Sequence, residues 1–440
     1  MKGSIFEELE ISAECNGCGT CQSACPRKAI TMHISSSGTY RPKLDPSRCN
    51  SCSLCLEVCP SQVDFRALER RIFNSNSNDP FLGKYLNLYI GRATDRFFLD
   101  NSTSGGLVTA LLCHCLGKNA IRGALVTTMG KEGSLEPNVV LAQSEKEVVA
   151  ASKSQYTPVP VNVGLEQIEA HDGKYAIVGL PCHIHGVRKA EKINRTLDAR
   201  LYLHFGLFCS HTVNLNGTKM LIAKLDTHIS KVVRLSYRTE GWPGFFSIRL
   251  RDGIKKKIAF GKVWAIFGSF FFVPTACLLC CDLTNELADI SFGDAWLPEL
   301  KGAQRGYSLV ITRSDKGEEL LQNAQREGKI RLKKIERSDI LKSHKLGLLF
   351  KKRTYYPRCA MVDRPTKSRT HNVIIPQQSG FLYFLLAFLA LLNAQVSSHR
   401  IFSSMIEKTP FGFFQIYDAI FTRYRILCSR TDKLILRTST

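Results

Sequence analysis

Eight of the chain's seventeen cysteines fall into two copies of one pattern. Cys15, Cys18, Cys21 and Cys25 are spaced C-x2-C-x2-C-x3-C and followed by Pro26; Cys49, Cys52, Cys55 and Cys59 repeat this 34 residues later, before Pro60. In this arrangement three thiolates sit on one tight loop around a cube face, while the fourth, displaced to the head of the next helix, reaches the other cube. The spacing therefore predicts two crossed 4Fe-4S sites, one held by Cys15, Cys18, Cys21 and Cys59 and the other by Cys49, Cys52, Cys55 and Cys25. Zinc is the competing reading of clustered cysteines, and eight thiols matching twice argue against it. Such clusters move single electrons and perform no substrate chemistry, so a later part of the chain must use them.

The later cysteines offer a place for that. Cys182 follows Gly179-Leu180-Pro181, Cys209 ends an apolar stretch at Phe208, and Cys277 with Cys280 forms another C-x2-C, with Cys281 a rival to Cys280. Strand ends are where an open α/β sheet assembles its sites, so these four thiols can meet as a third cluster. Equally, Cys182 and Cys209 can be small buried residues. Cys113, Cys115, Cys359 and Cys428 have no partner spacing and read as structural. Neither a G-x-G-x-x-G fingerprint nor a Walker A loop occurs, so conventional NAD and ATP sites are not supported. The Gly-rich candidate is Asp100 to Gly106, ending Ser104-Gly105-Gly106 before an apolar helix. Its glycines admit a ligand to the backbone and the helix start favours phosphate, although a bare helix cap explains the same residues.

These groups need elements to hold them. Ala29 to Ile34 and Tyr40 to Leu44 flank Ser35-Ser36-Ser37-Gly38 and predict a hairpin between the two copies, a duplicated α+β ferredoxin-like module over residues 1–70. Asn74 to Pro80 is polar and predicts a linker within 71–80. Beyond it, Gly106 to Leu116 reads as a helix and Gly123 to Met129, Tyr175 to Leu180 and Leu201 to Phe208 as strands. Strands spaced by helices predict an α/β domain over 81–370 with a mostly parallel or mixed sheet. Residues 371–440 read as an apolar and basic helical extension, where Phe381 to Leu392 is twelve apolar residues. A span needs about 20, so a docking helix is expected, with an interfacial membrane anchor the alternative kept open by Arg400, Lys408, Arg423 and Arg425.

The formal net charge is +22, with six Lys/Arg against six Asp/Glu in residues 1–60 but nineteen against seven in 301–370. Clusters carrying about −2 each lower that total without reversing it. A basic face late in the chain would suit an acidic electron carrier, an anionic substrate or anionic lipid, or be merely solvated. No nucleic-acid-binding module is recognisable, so nucleic acid is not an expected partner. Met1 to Glu10 lacks a signal-peptide apolar core and the cysteines sit in metal spacings, which together suggest the reducing cytoplasm.

Several segments, in order from about residue 85 to about 315, resemble the beta subunits of coenzyme F420 hydrogenases and dehydrogenases. They are Ser104-Gly105-Gly106, Ser154-Gln155-Tyr156, Val178 to Cys182, Gly206 to Cys209, Tyr237-Arg238 with Gly241 to Gly244, Cys277 to Cys280, and Ala288 to Asp294. That family includes deazaflavin oxidoreductases, ferredoxin-dependent chlorophyll-pathway reductases and bacterial members associated with surface-polysaccharide genes. The resemblance implies a flavin, usually FAD, bound partly at Ser104, Gly105 and Gly106, with a 4Fe-4S cluster beside it at Cys182, Cys209, Cys277 and Cys280. His183-Ile184-His185 departs from the family, in which a Gln more usually follows the cysteine. His183 or His185 is then a candidate proton donor to a reduced substrate, or a packing or capping residue. Asp294 and Trp296 line the flavin or cap the next helix.

A flavin exchanges two electrons with an organic molecule and one at a time with a cluster. The leading expectation is thus an oxidoreductase in which a ferredoxin-type carrier feeds the N-terminal clusters, then an inner cluster and FAD, and finally a small organic substrate, with about twelve irons per chain. The alternatives are an electron-transfer subunit that passes electrons to a partner subunit, and a peripheral membrane component of surface-polysaccharide synthesis tethered by Phe381 to Leu392.

Overall fold

The predicted hairpin forms as β1 (Ile30–Ile34) against β2 (Tyr40–Leu44), paired antiparallel, with Gly38 at φ 76° supplying the left-handed turn. The computed structural model describes residues 15–130, 136–362 and 380–430; the Met1 to Glu10 reading and the 370/371 boundary lie outside them. Further strands follow as β3 (Asn87–Ala93), β4 (Gly123–Met129), β5 (Pro137–Ala142), β6 (Tyr175–Gly179), β7 (Leu201–Leu207), β8 (Val232–Thr239), β9 (Phe245–Leu250), β10 (Lys255–Ala259), β11 (Ile290–Asp294), β12 (Ser308–Thr312) and β13 (Ile330–Lys334).

Eight of them make one mixed sheet in the order β13-β3-β12-β11-β7-β6-β4-β5, and β10-β9-β8 make a small separate one. Its centre is parallel, with β4 beside β6, β6 beside β7 and β7 beside β11, while β5, β12, β3 and β13 join antiparallel. Parallel strands are covered on both faces and so carry near-continuous apolar runs. That is why β4, β6 and β7 are legible as Gly123 to Met129, Tyr175 to Leu180 and Leu201 to Phe208.

The N-terminal module lies on this body. Val58, Val63, Phe65 and Leu68 share an apolar core with Leu165, Tyr175, Ile177, Ile184 and Val187; each large side chain so buried contributes about 2 kcal/mol. Residues 71–80, expected as a linker, are tied in place. Helix Phe65–Phe73 stops at Asn74, whose φ is 51°, and the Asp79 carboxylate accepts from the amides of Phe81 at 2.9 Å and Leu82 at 3.1 Å while pairing with Arg337. A second tie is Lys189, whose Nζ donates to the carbonyls of Cys59 and Gln62, both at 2.7 Å.

Helix Phe381–Ser398 has mean hydropathy 1.7 over 18 residues, enough by length and composition to cross a membrane. Here it docks: Tyr383, Leu386, Ala387, Ala390 and Ala394 face the body, and Asn393 donates to the Ser269 carbonyl at 2.7 Å. Its other face leaves Phe381, Phe384, Leu385 and Phe388 exposed. The late basic excess is not all surface, contrary to the expected basic face, since Arg313, Lys351, Lys352, Arg353 and Arg358 are buried. Arg425, expected among the membrane-facing cations, is buried as well.

Candidate redox site

None of the seventeen cysteines is in a disulfide, and the electrostatics of the eight N-terminal ones sort them across the two repeats. Burial, then neighbouring charge, pushes up Cys15, Cys18, Cys21 and Cys55: Cys18, to about 12, is repelled by Cys59 and Cys15, and Cys55, to about 11, by Cys52, Cys25 and Cys49. The fourth cysteine of each repeat thus sits with the first three of the other. Cys21 is repelled by Cys18, Cys15 and Cys59 and also by Cys55, which brings the two quartets together. Backbone amides of Gly17, Ala29 and Ser51 donate to Cys15, Cys25 and Cys49 sulfurs at 3.4, 3.3 and 3.4 Å, a contact that favours thiolate.

Thiols clustered in this way suit a positively charged core, which replaces their protons. Among the described residues, no three His, Cys, Asp or Glu side chains converge on a point as ligands of a single ion would.

The later quartet also converges. Strands β6 and β7 run parallel with Gly179 opposite Gly206, so Cys182, second in helix Pro181–Ile193, and Cys209, two residues past β7, leave adjacent strand ends. Burial raises the Cys182 thiol, and Cys18, Cys277, Cys209 and Cys280 add repulsion in that order. Cys18 belongs to the first quartet, so the two groups are neighbours. Asn162 fixes that junction, its Nδ2 donating to Thr20 Oγ1 at 2.8 Å and the His183 carbonyl at 2.9 Å, and its amide to the Cys18 carbonyl at 3.0 Å. Cys281 packs instead in the apolar core with Leu279 and Leu287, which leaves Cys280 facing the quartet.

Sequence reasoning missed Lys351. It sits on a π-helical turn, Leu349–Arg353, 1% exposed, and its ammonium is held charged against burial by Cys280, Cys209 and Cys277. The signal was present in Lys351-Lys352-Arg353 directly after an apolar stretch, but a cationic run ordinarily marks a solvated face.

Beyond Cys209 opens a cavity of about 790 Å³, lined among others by Ser104, Gly106, Tyr156, His183, Cys209 and Trp264. Gly106, at φ 70°, precedes helix Leu107–Gly117 on the cavity wall and gives its first turn no side-chain cap. Ser104 Oγ donates to the Tyr307 carbonyl at 2.8 Å. Gly105 turns away: its amide donates to Ser308 Oγ at 3.1 Å, and a Cβ there would stand 2.5 Å from the Gly91 carbonyl oxygen. Its glycine is therefore required by sheet packing.

Arg238, 2% exposed, gathers the other motifs. Its guanidinium donates to Asp294 Oδ2 at 2.6 Å, the Thr103 carbonyl at 2.9 Å and the Pro243 carbonyl at 3.0 Å, and lies 5.0 and 4.9 Å from the Trp242 and Phe260 rings. Trp242 and Trp296 stack at 4.4 Å beside it. Burial opposes the Arg238 charge and Asp294 outweighs it.

The two histidines do different work. His183 Nε2 donates to the Val159 carbonyl at 2.9 Å while Nδ1 accepts the Leu180 amide at 3.1 Å, and burial lowers it to about 4. This is the capping role, with both ring nitrogens committed. His185 Nε2 meets Asp282 at 2.8 Å, out of the cavity lining, with Phe65 edge-on at 4.6 Å.

The family model for the C terminus of the coenzyme F420 hydrogenase/dehydrogenase beta subunit matches residues 172–338, the model for its N terminus matches residues 88–166, and a 4Fe-4S dicluster domain matches residues 14–63. The coenzyme F420 hydrogenase beta subunit of Methanothermobacter thermautotrophicus is 28% identical over 261 residues, 58% of this chain and 86% of the relative. The coenzyme F420-dependent sulfite reductase of Methanocaldococcus jannaschii is 27% identical over 352 residues, 77% of this chain and 50% of that longer relative. A chain of the F420-reducing [NiFe] hydrogenase complex from Methanosarcina barkeri shares the fold, with TM-score 0.52 and 23% identity, over 65% of this chain and 96% of its own.

Proposed function

Because the chain belongs to the coenzyme F420 hydrogenase/dehydrogenase beta-subunit family, we propose that it is the iron-sulfur and flavin-bearing subunit of an oxidoreductase. It passes electrons between a ferredoxin-type carrier and a small organic substrate, which the relatives' names suggest is a deazaflavin, and it works beside a partner subunit. The carrying observation is continuity: Cys55 neighbours Cys21, Cys18 neighbours Cys182, and Cys209 lines the cavity. In this reading the three quartets hold 4Fe-4S clusters, the cavity holds FAD near Ser104 and Gly106, and residues 1–70, 81–370 and 371–440 are module, catalytic domain and extension.

FAD would supply the exchange between one-electron and two-electron chemistry. The chain's own residues do the rest. Gly106 leaves helix amides open toward a phosphate, Arg238 fixes the walls formed by Thr103, Pro243 and Asp294, and Lys351 offsets the charge of the inner thiolates. The test is anaerobic purification with iron, sulfide and flavin analysis. About twelve irons and one FAD per chain are expected; eight irons without flavin would remove the inner site and the cavity from the proposal.

A second reading, peripheral contact with a membrane, is favoured by the row of exposed apolar side chains Phe381, Phe384, Leu385, Phe388 and Leu392 on one helix face.

A further inference from the structure

Helix Phe411–Arg430 lies beyond residue 338, where the family match ends, yet it completes the cavity wall with Asp418, Thr422 and Arg425. Arg425 is 8% exposed, and its Nε is buried with no hydrogen-bond partner. What it touches are ring faces, Phe270 and Phe421, each 5.8 Å away. Other buried cations nearby are answered: Arg238 by Asp294, Lys352 by Glu286, and Lys351 by the inner thiols. Asp418, the carboxylate felt most by Arg425, is engaged by Ser269 Oγ at 3.2 Å. Burial lowers the Arg425 pKa to about 10, so it stays charged at neutral pH. Asp418 offsets the charge only in part, and a buried guanidinium N–H with no acceptor is costly; its planar fork matches a carboxylate or phosphate. Lys153, Lys342 and Lys345 on the same lining make the cavity positive on balance.

We propose that Arg425 is a substrate-recognition residue that the C-terminal extension adds to the cavity, and that the small molecule reduced or oxidised there carries a phosphate or carboxylate held by this side chain. The inference rests on the cavity being the flavin site, and the test separates the two.

Full-length protein, with and without FAD, is titrated with inorganic phosphate by calorimetry, comparing wild type with Arg425→Gln and Arg425→Lys; FAD and riboflavin affinities are read by flavin fluorescence. Arg425→Gln is expected to weaken phosphate binding about tenfold or more, as for a lost charge-assisted hydrogen bond, and Arg425→Lys to lose less. FAD affinity stays within about twofold and the melting temperature does not fall, since Asp418 keeps its hydrogen bond from Ser269 and the unanswered Nε donor is removed. Equal phosphate binding by wild type and Arg425→Gln overturns the proposal. So does a tenfold loss of FAD affinity with riboflavin unaffected, which assigns the anion to the flavin's own phosphates, and so does a lower melting temperature, which makes the residue structural. Failure of the wild type to bind any flavin refutes the flavin cavity, while the flavin-free phosphate titration still decides the role of Arg425.

Discussion

Replacing Arg238 with methionine keeps most of the side-chain volume and removes the fork on which four sequence motifs converge. Four acceptors then lose this donor: Asp294 Oδ2 at 2.6 Å, the Thr103 carbonyl at 2.9 Å, the Pro243 carbonyl at 3.0 Å and Tyr156 Oη at 3.5 Å. Breaking a buried ion pair by deleting one partner costs about 3–5 kcal/mol. The Asp294 side chain retains 21% exposure, so water recovers part of that and about 3 kcal/mol is the expected loss of unfolding free energy, read by urea denaturation of the flavin-free protein. Asp294→Asn in the same background removes the stranded charge, so the double variant should regain about 1 kcal/mol or more over Arg238→Met, a non-additivity expected only of touching residues. FAD affinity, followed by fluorescence, should fall in Arg238→Met by about tenfold or more, because Thr103 and Pro243 border the cavity. A loss under about 0.5 kcal/mol, within the range of an ordinary surface substitution, together with unchanged FAD affinity would refute the clamp.

Lys351→Gln should make the inner cluster harder to reduce, by on the order of 60 mV, the one-electron equivalent of a tenfold change; an unshifted potential in a redox titration would show that the ammonium does not face the cluster. Asp289 and Glu191, buried around His204 and Arg188, have carboxyls below their ordinary range, because the Arg188 charge and the hydrogen bonds with His204, with Lys316 also beside Asp289, outweigh the burial that acts against the charged form. Groups of that sign contribute stability above about pH 4 and lose it as pH falls through their folded-state values, so Asp289→Asn should cost about 3 kcal/mol at pH 7 and flatten the acid limb of the melting curve; a limb as steep as wild type would contradict this. Leu385→Glu with Phe388→Glu on the exposed helix face should abolish co-sedimentation with anionic lipid vesicles at low salt, and a wild type left in the supernatant would rule out the membrane contact.

The eight N-terminal cysteines were legible because their ligand spacing is local. The parallel centre of the sheet was legible through its continuous apolar runs. Harder to read was whatever depends on chains meeting at a distance. Cys182, Cys209, Cys277 and Cys280 are scattered over about a hundred residues, and only strand order, with β6 beside β7, brings Cys182 and Cys209 to adjacent strand ends. Lys351 and Arg425 looked like solvated or membrane-facing cations, because charge patterns do not reveal which side of a helix is covered. Gly105 and Gly106 are adjacent yet divide their roles, one packed on the Gly91 carbonyl and the other capping the cavity helix, a distinction only backbone geometry makes.

In the proposed function electrons reach the cavity through the quartet that includes Cys182. Cys182→Ala, purified anaerobically and loaded with FAD, is mixed with reduced ferredoxin while flavin bleaching is followed by stopped flow. The expected result is about eight irons per chain in place of about twelve, reducible N-terminal clusters, and flavin bleaching slowed by orders of magnitude. Wild-type iron content with bleaching at the wild-type rate would contradict it.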